Sequence, residues 1–88
     1  ALNTESFTIY PNPNRGNFTI EGNVLNDQQI PIEVVNMLGQ VVYRDVAITD
    51  KKIIKKSILL EGVLANGVYL LHMRVNGEKK VFGITLDQ

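Results

Sequence analysis

Hydrophobic and polar residues alternate along most of this chain with a period of two. Gly, Asn, Pro and Asp interrupt the alternation about every 8–12 residues, which is the turn spacing of an all-β protein. No stretch of the sequence shows a sustained helical period. Seven strands are therefore predicted: Phe7–Tyr10, Asn17–Glu21, Ile32–Asn36, Gln40–Val46, Lys55–Leu60, Val68–Val75 and Lys79–Leu86.

The strongest turn signal is Asn76-Gly77, between the last two predicted strands. A type I′ turn needs positive φ at both central residues, and Asn-Gly meets that need with little strain. The turn pairs Val75 with Glu78 and so sets the register of the whole hairpin. A slip of one residue would expose the apolar side chains of the last strand. The face that we expect to be buried carries Met73, Leu71, Tyr69 and Gly67 opposite Lys80, Phe82, Ile84 and Leu86.

A second hairpin is predicted at the segment Asn36-Met37-Leu38-Gly39. A two-residue loop would force Leu38 to a positive φ, which is costly for a bulky side chain. A three-residue loop fits better, because Asn36 then opens a type I turn and Gly39 takes the left-handed position of a G1 bulge.

Seven short strands with no helix to cover them must pack sheet on sheet. The predicted fold is an all-β, seven-stranded, immunoglobulin-like antiparallel β-sandwich. The 88 residues suit one domain. The sequence lacks cysteine and tryptophan, so its likeness to antibody domains is architectural.

Composition and charge exclude several function classes. Nine basic residues balance nine acidic ones, which leaves no general basic surface, and we expect no nucleic-acid partner. The single histidine, His72, has no histidine or cysteine with which to share a metal ion. Neither Ser6 nor Ser57 lies in the sequence context of a catalytic nucleophile. The sequence therefore predicts no enzyme, no metal site and no cofactor.

Four lysines lie within six residues, at Lys51, Lys52, Lys55 and Lys56. They could form a patch that binds anions. They could equally be a solvated loop followed by an edge strand, since lysines commonly protect sheet edges from unwanted pairing. The second interpretation is favoured, because no array of aromatic residues accompanies the lysines and the net charge is zero.

The segment from Phe7 to Gly16 reads as a strand followed by a stiff corner. Pro11 and Pro13 fix φ and remove two backbone donors. The residues before them, Tyr10 and Asn12, are restricted to extended conformations. A rigid corner alone has no functional meaning.

Taken in order, four segments resemble a known family: Tyr10-Pro11-Asn12-Pro13-x-x-Gly16, Asn36-Met37-Leu38-Gly39-Gln40-Val41-Val42, Leu64-Ala65-Asn66-Gly67-Val68-Tyr69, and a last strand led by Lys79-Lys80. The chain resembles the C-terminal sorting domain of the type IX secretion system of the Bacteroidetes over residues 7–86. In that family the domain is a seven-stranded immunoglobulin-like sandwich, in agreement with the strand count.

The resemblance implies a non-catalytic signal domain. Residues 1–6 would end a linker from an upstream cargo domain, and residues 7–88 would form the sorting domain. The implied partners are that cargo, a type IX outer-membrane translocon, a shuttle protein and a sortase-like protease that removes the domain during surface attachment. The route runs through the periplasm to the cell surface or the medium. The recognition residues that carry over are Pro11, Asn12, Pro13, Gly16, Gly39, Gly67, Tyr69, Lys79, Lys80, Val81 and Phe82.

Other functions stay open at this point. The domain could be an extracellular immunoglobulin-like module that binds a protein or a carbohydrate, or a structural spacer. A carbohydrate site usually needs an aromatic platform. Phe18, Phe82 and Tyr69 are predicted to point inward, which leaves few aromatic residues for that role, with Tyr10 and Tyr43 as candidates. If the last strand lies at a sheet edge, it could bind a receptor by β-augmentation, and the same edge would allow two copies to pair.

Overall fold

The structure is a computed structural model that describes residues 5–60 and 62–88, so the first four residues of the predicted linker lie outside the described residues. All seven predicted strands are confirmed, with ends that differ by at most three residues. Within the described residues there is no helix, and therefore none that could span a bilayer. The strands are β1 (Ser6–Tyr10), β2 (Asn17–Asn23), β3 (Gln29–Val35), β4 (Val41–Ile48), β5 (Ile53–Leu59), β6 (Gly67–Val75) and β7 (Glu78–Leu86).

The strands form two antiparallel sheets, one of three strands in the order β1-β2-β5 and one of four in the order β4-β3-β6-β7. One core of aliphatic side chains lies between them, which confirms the predicted β-sandwich. Removing such side chains from water is the main stabilising contribution to a small domain. Side chains that are fully buried there include Ile20, Ile54, Ile32, Leu71, Met73 and Ile84.

The hairpin of β6 and β7 has the predicted register, from Val75 opposite Glu78 to Gly67 opposite Leu86. Asn76 and Gly77 have φ of 50° and 79°, as a type I′ turn requires. The predicted face is buried along β6 and at the end of β7. Phe82 is only half-buried, because β7 lies at the sheet edge, and its ring meets that of Phe7 edge to face at 6.1 Å.

The hairpin of β3 and β4 has the predicted turn. Gly39 has φ of 84° and its N–H donates to the carbonyl of Asn36 at 3.0 Å. The Asn36 N–H in turn donates to the carbonyl of Gln40 at 2.9 Å, which is the pattern of a three-residue loop. The register then shifts between Val34 and Val35, so alternation of the faces is broken near the turn.

The third strand is predicted to begin at Ile32, whereas β3 begins three residues earlier, at Gln29. In the structure Pro31 lies inside β3 and is paired with Val46 of β4, whereas pairing of β3 with β6 starts only at Ile32. Pro31 has no N–H to donate, and it lies outside the part of β3 that pairs with β6. The proline therefore costs no hydrogen bond of that ladder.

The turn between β4 and β5 was not signalled by the sequence. Lys51 and Lys52 have φ of 53° and 63°, which is uncommon for residues other than glycine. Asp50 and Ile53 exchange two backbone hydrogen bonds across the turn. The Asp27 carboxylate accepts from the Lys52 N–H at 2.7 Å and so holds the turn in place. β5 is an edge strand, as the favoured interpretation of the lysines expects.

Candidate functional site

The corner that follows β1 is hydrogen-bonded to the outer edge of β7. The side-chain amide of Asn12 donates through Nδ2 to the carbonyl of Gly83 at 2.9 Å, and its Oδ1 accepts from the N–H of Thr85 at 3.0 Å. An asparagine amide carries one donor group and one acceptor, so it can pair with a strand edge as a peptide group does. The first motif and the last strand, which lie at opposite ends of the sequence, therefore form one structural unit.

Asn14 continues this pairing with its backbone. Its N–H donates to the carbonyl of Thr85 at 3.0 Å, and its carbonyl accepts from the N–H of Asp87 at 2.8 Å. The Asn14 side chain is buried and bonds within the corner, to the N–H of Gly16 at 2.9 Å and to the carbonyl of Pro11 at 3.2 Å. Asn14 thus acts as a short parallel bridge to β7 and fixes the shape of the corner.

The two prolines and the glycine of the first motif have different positions. Pro11 and Pro13 are exposed, and the peptide bond before each is cis. Gly16 is buried, has φ of 102°, and accepts a hydrogen bond from the N–H of Leu60. The prolines donate no backbone hydrogen bond, so the asparagines between and after them supply the contacts with β7.

The third motif lies beside the end of β7. Gly67 is paired with Leu86. Tyr69 is buried in the core, as the structural interpretation of this residue expects, and its hydroxyl donates to the carbonyl of Ala65 at 2.7 Å. This bond holds the loop before β6 against the sandwich.

Gln88 ties the end of the chain to the same loop. Its backbone N–H donates to Oδ1 of Asn66 at 2.9 Å, and its Nε2 donates to the carbonyl of Leu64 at 2.8 Å. Its Oε1 accepts from the N–H of Gly62 at 3.1 Å. Residues 62–66 and 86–88 thus form a continuous surface.

The tip of the β3–β4 hairpin, which contains Gly39, lies at the same end of the molecule. The last residue of β3, Val35, is paired with Leu70 near the start of β6, so the tip extends toward the level of Gly67. We call this end the motif pole, formed by residues 11–16, 36–40, 62–67 and 86–88. The chain enters at the other end, where Glu5 accepts a hydrogen bond from Nδ2 of Asn76 at 2.7 Å, and we call that end the opposite pole.

The remaining predicted recognition residues are not brought to the motif pole. Lys79, Lys80 and Val81 lie near the β6–β7 turn, at the other end of β7. Lys79 and Val81 are exposed, whereas Lys80 is half-buried with its Nζ 3.3 Å from a carboxylate oxygen of Glu78. The half-buried Phe82 lies between the two groups, so the predicted set divides into two surfaces.

The outer edge of β7 is only partly covered. Backbone groups along an edge strand face outward at every second residue, and those of Gly83 and Thr85 do so because they bond to the corner. The backbone groups of Lys79 and Val81 therefore face outward as well. Within residues 5–60 and 62–88 nothing pairs with them, since β7 ends the sheet order and the corner reaches only as far as Gly83.

The motif pole is nearly free of charge. Its four segments contain only two ionisable side chains that carry charge at neutral pH, Arg15 and Asp87. Met37 and Leu38 at the hairpin tip are exposed to 68% and 84%. Gly39 is the only residue of this turn among the predicted recognition residues. Two adjacent large apolar residues at a turn were nevertheless a sequence signal for an exposed contact surface.

The opposite pole carries most of the loop charge. The Lys52 backbone N–H, and after it the Thr49 hydroxyl, hold the pKa of Asp27 below its usual range. Lys51 and Lys52 lie at this pole and are exposed. His72 is half-buried on the outer face of the larger sheet. Among the described residues no three potential metal ligands come together.

The two tyrosines considered for carbohydrate binding lie on different sheets. Tyr10 is in β1 and donates to a carboxylate oxygen of Glu21 at 2.7 Å, a bond that raises the pKa of the phenol. Tyr43 is in β4, half-buried, and donates to a carboxylate oxygen of Asp45 at 2.8 Å. They form no common platform.

Two structures of α-2-macroglobulin from Escherichia coli share the fold. The trypsin-activated protein matches with a TM-score of 0.69, at 14% identity over 96% of this chain. The native conformation matches with a TM-score of 0.70, at 15% identity over 98% of this chain. This chain spans 7% and 6% of those two chains, and at such identity the likeness concerns the fold alone.

A search of curated proteins finds no match. The family model described as "Secretion system C-terminal sorting domain" matches residues 8–85, a range that contains the first three motif segments and all of the last strand except Leu86. The resemblance seen in the sequence is thereby confirmed, and the chain belongs to the family of type IX secretion system C-terminal sorting domains.

Proposed function

We propose that this domain is a non-catalytic signal that directs an attached cargo protein across the outer membrane through the type IX secretion system, and that the motif pole is the surface the machinery reads. The observation that carries the proposal is the hydrogen bonding of the Asn12 amide to the edge of β7. It joins the first motif to the C-terminal half of the last strand in one surface.

Family membership implies an upstream cargo, handling by the secretion system and export to the cell surface or the medium. The geometry suits this arrangement. Residues 1–6 would be the end of the linker and residues 7–88 the signal domain, and Glu5 lies at the opposite pole. A cargo attached there would leave the motif pole unobstructed.

The proposed partners act in sequence. A shuttle protein and the outer-membrane translocon would bind the folded domain after it reaches the periplasm. A sortase-like protease would then cut upstream of β1, where the linker carries no core residue, and the cargo would stay at the surface or be released. No step in this route requires the domain to catalyse a reaction.

The open edge at Lys79 and Val81 supplies a second contact in this proposal. A strand from a receptor could pair with the outward backbone groups of β7 there, by β-augmentation. Two copies pairing through this edge would bring the exposed Lys79 of both copies near each other, and like charges in neighbouring strands oppose pairing. A receptor strand is therefore favoured over a second copy.

The alternative is an extracellular module that binds a protein or a carbohydrate. The separation of Tyr10 and Tyr43 onto different sheets removes the aromatic platform on which a carbohydrate site would rest.

The test is to place residues 1–88 behind a periplasmic reporter in a strain with a working type IX system. We expect the reporter outside the cell, and inside the periplasm when the translocon gene is deleted. A reporter that stays in the periplasm of the working strain would refute the proposed function.

A further inference from the structure

The tip of the β3–β4 hairpin exposes two large apolar side chains side by side. Leu38 and Met37 are exposed to 84% and 68%, although the turn itself requires only Asn36 and Gly39. Polar residues at the two central positions would serve the fold equally well and would keep apolar surface out of water. The fold therefore does not explain Met37 and Leu38.

The tip is held in one conformation. Oδ1 of Asn36 accepts from the N–H groups of Leu38 and Gln40 at 3.0 and 2.9 Å, and its Nδ2 donates to Oε1 of Gln40 at 2.8 Å. These bonds add to the two backbone bonds of the loop. A side chain presented on a rigid turn loses little conformational freedom on binding.

A groove of about 340 Å³ lies behind the tip, on the outer face of the larger sheet. Val35, Met37, Val41 and Leu70 give it apolar walls, and Glu33 and His72 also line it. A bound partner would thus contact both a projecting side chain, Leu38, and an adjoining recess whose walls nearest the tip are apolar. This combination is typical of the centre of a protein interface.

Charge complementarity decides what kind of partner fits. The segment from Asn36 to Val42 carries no charge, and the motif pole around it has only Arg15 and Asp87. Attachment to an anionic membrane surface relies on clustered lysine and arginine, which this pole lacks. A second copy is also a poor fit, since two tip residues bury far less than the ~800 Å² per partner of a stable interface.

We propose that Met37 and Leu38 are the apolar anchor of the domain, and that they insert into an uncharged, apolar pocket on a protein of the secretion machinery. This inference rests on the proposed function, because it names the chemistry of the partner that reads the motif pole. The rest of the motif pole, whose backbone is fixed by hydrogen bonds, then orients the domain on that partner.

The test compares three forms of the reporter fusion in the type IX strain: the parent, the double variant Met37→Ser with Leu38→Ser, and Ile48→Ser. Ile48 is the matched control, because it is exposed to 73% and lies at the far end of β4, toward the opposite pole. All three purified domains should unfold within about 4 °C of one another, since no substituted side chain is buried.

We expect the double variant to lose at least about tenfold in secreted reporter, and Ile48→Ser to match the parent. Purified domains are also mixed with vesicles of phosphatidylethanolamine and phosphatidylglycerol, and none should sediment with them. Normal secretion of the double variant would overturn the inference, and so would an equal loss in Ile48→Ser or vesicle binding that depends on the tip. Failure of the parent would instead refute the proposed function and the inference with it.

Discussion

At the residue scale, the side chain of Asn12 hydrogen-bonds to the edge of β7 as a neighbouring strand would. The Asn12 amide supplies the donor that Pro11 and Pro13 lack, together with an acceptor, and it lies 71 and 73 residues away in sequence from its partners Gly83 and Thr85. The prolines fix φ on both sides of Asn12, which limits the conformations that compete with this pairing. The sequence predicts this stiffness but not the partner.

Replacing Asn12 with alanine should lower the free energy of unfolding by about 1 kcal/mol, because two hydrogen bonds are lost while water can still reach Gly83 and Thr85. Urea denaturation measures the change. Asn12→Asp should destabilise the domain at least as much as Asn12→Ala, since its carboxylate still accepts from Thr85 but places a second acceptor oxygen against the Gly83 carbonyl.

The control for this substitution is Asn26→Ala, which truncates an exposed asparagine in the loop before β3. Its unfolding midpoint should match that of the parent. Equal midpoints for Asn12→Ala and the parent would mean that the corner is held by its backbone bonds alone.

At the scale of strands and turns, the sequence predicts what local chemistry decides. Asn76-Gly77 and Gly39 occupy backbone conformations that few other residues tolerate, and both hairpins are confirmed in detail. Lys51 and Lys52 adopt a similar turn without any such preference, because the Asp27 carboxylate and the crossing between sheets impose it. Tertiary contacts of this kind leave no pattern in the local sequence from which the turn could be predicted.

The edge of β7 illustrates the same limit. Its position beside β6 follows from the hairpin, whereas its partial cover by residues 12–14 depends on contacts across the whole chain. What the structure adds to the sequence prediction is therefore the extent of the open edge, at Lys79 and Val81.

Val81→Pro tests whether a receptor uses that edge. The N–H of Val81 faces outward, so proline removes one donor for an incoming strand and none from the ladder with β6. We expect a purified variant that unfolds within about 1 kcal/mol of the parent, and a reporter fusion that is secreted less well.

Phe82→Pro is the contrasting variant, because the Phe82 N–H faces β6 and its loss breaks the ladder. The free energy of unfolding of Phe82→Pro should fall by more than that of Val81→Pro, by about 2–3 kcal/mol. Full secretion of a folded Val81→Pro fusion would exclude β-augmentation at this site.

At the scale of the whole molecule, the two ends of the sandwich differ in chemistry. The opposite pole carries the chain entry at Glu5 and the charged turn of Lys51 and Lys52. The motif pole is nearly uncharged and exposes Met37 and Leu38, with Gln88 bonded into its surface. In the proposed function this polarity keeps an attached cargo away from the motif pole.

This polarity predicts that the position of a fused protein decides whether export occurs. A small folded protein joined directly after Gln88 would lie against the motif pole and block access to it, whereas the same protein placed between the reporter and residue 1 would lie at the opposite pole. We expect reporter secretion to fall at least about tenfold in the first fusion and to persist in the second, with both domains equally stable to urea because Gln88 is exposed. Lengthening the joint after Gln88 to about 20 flexible residues should restore part of the secretion, since the blocking protein could then move aside. Equal secretion of the two short fusions would show that the receptor does not approach from the motif pole.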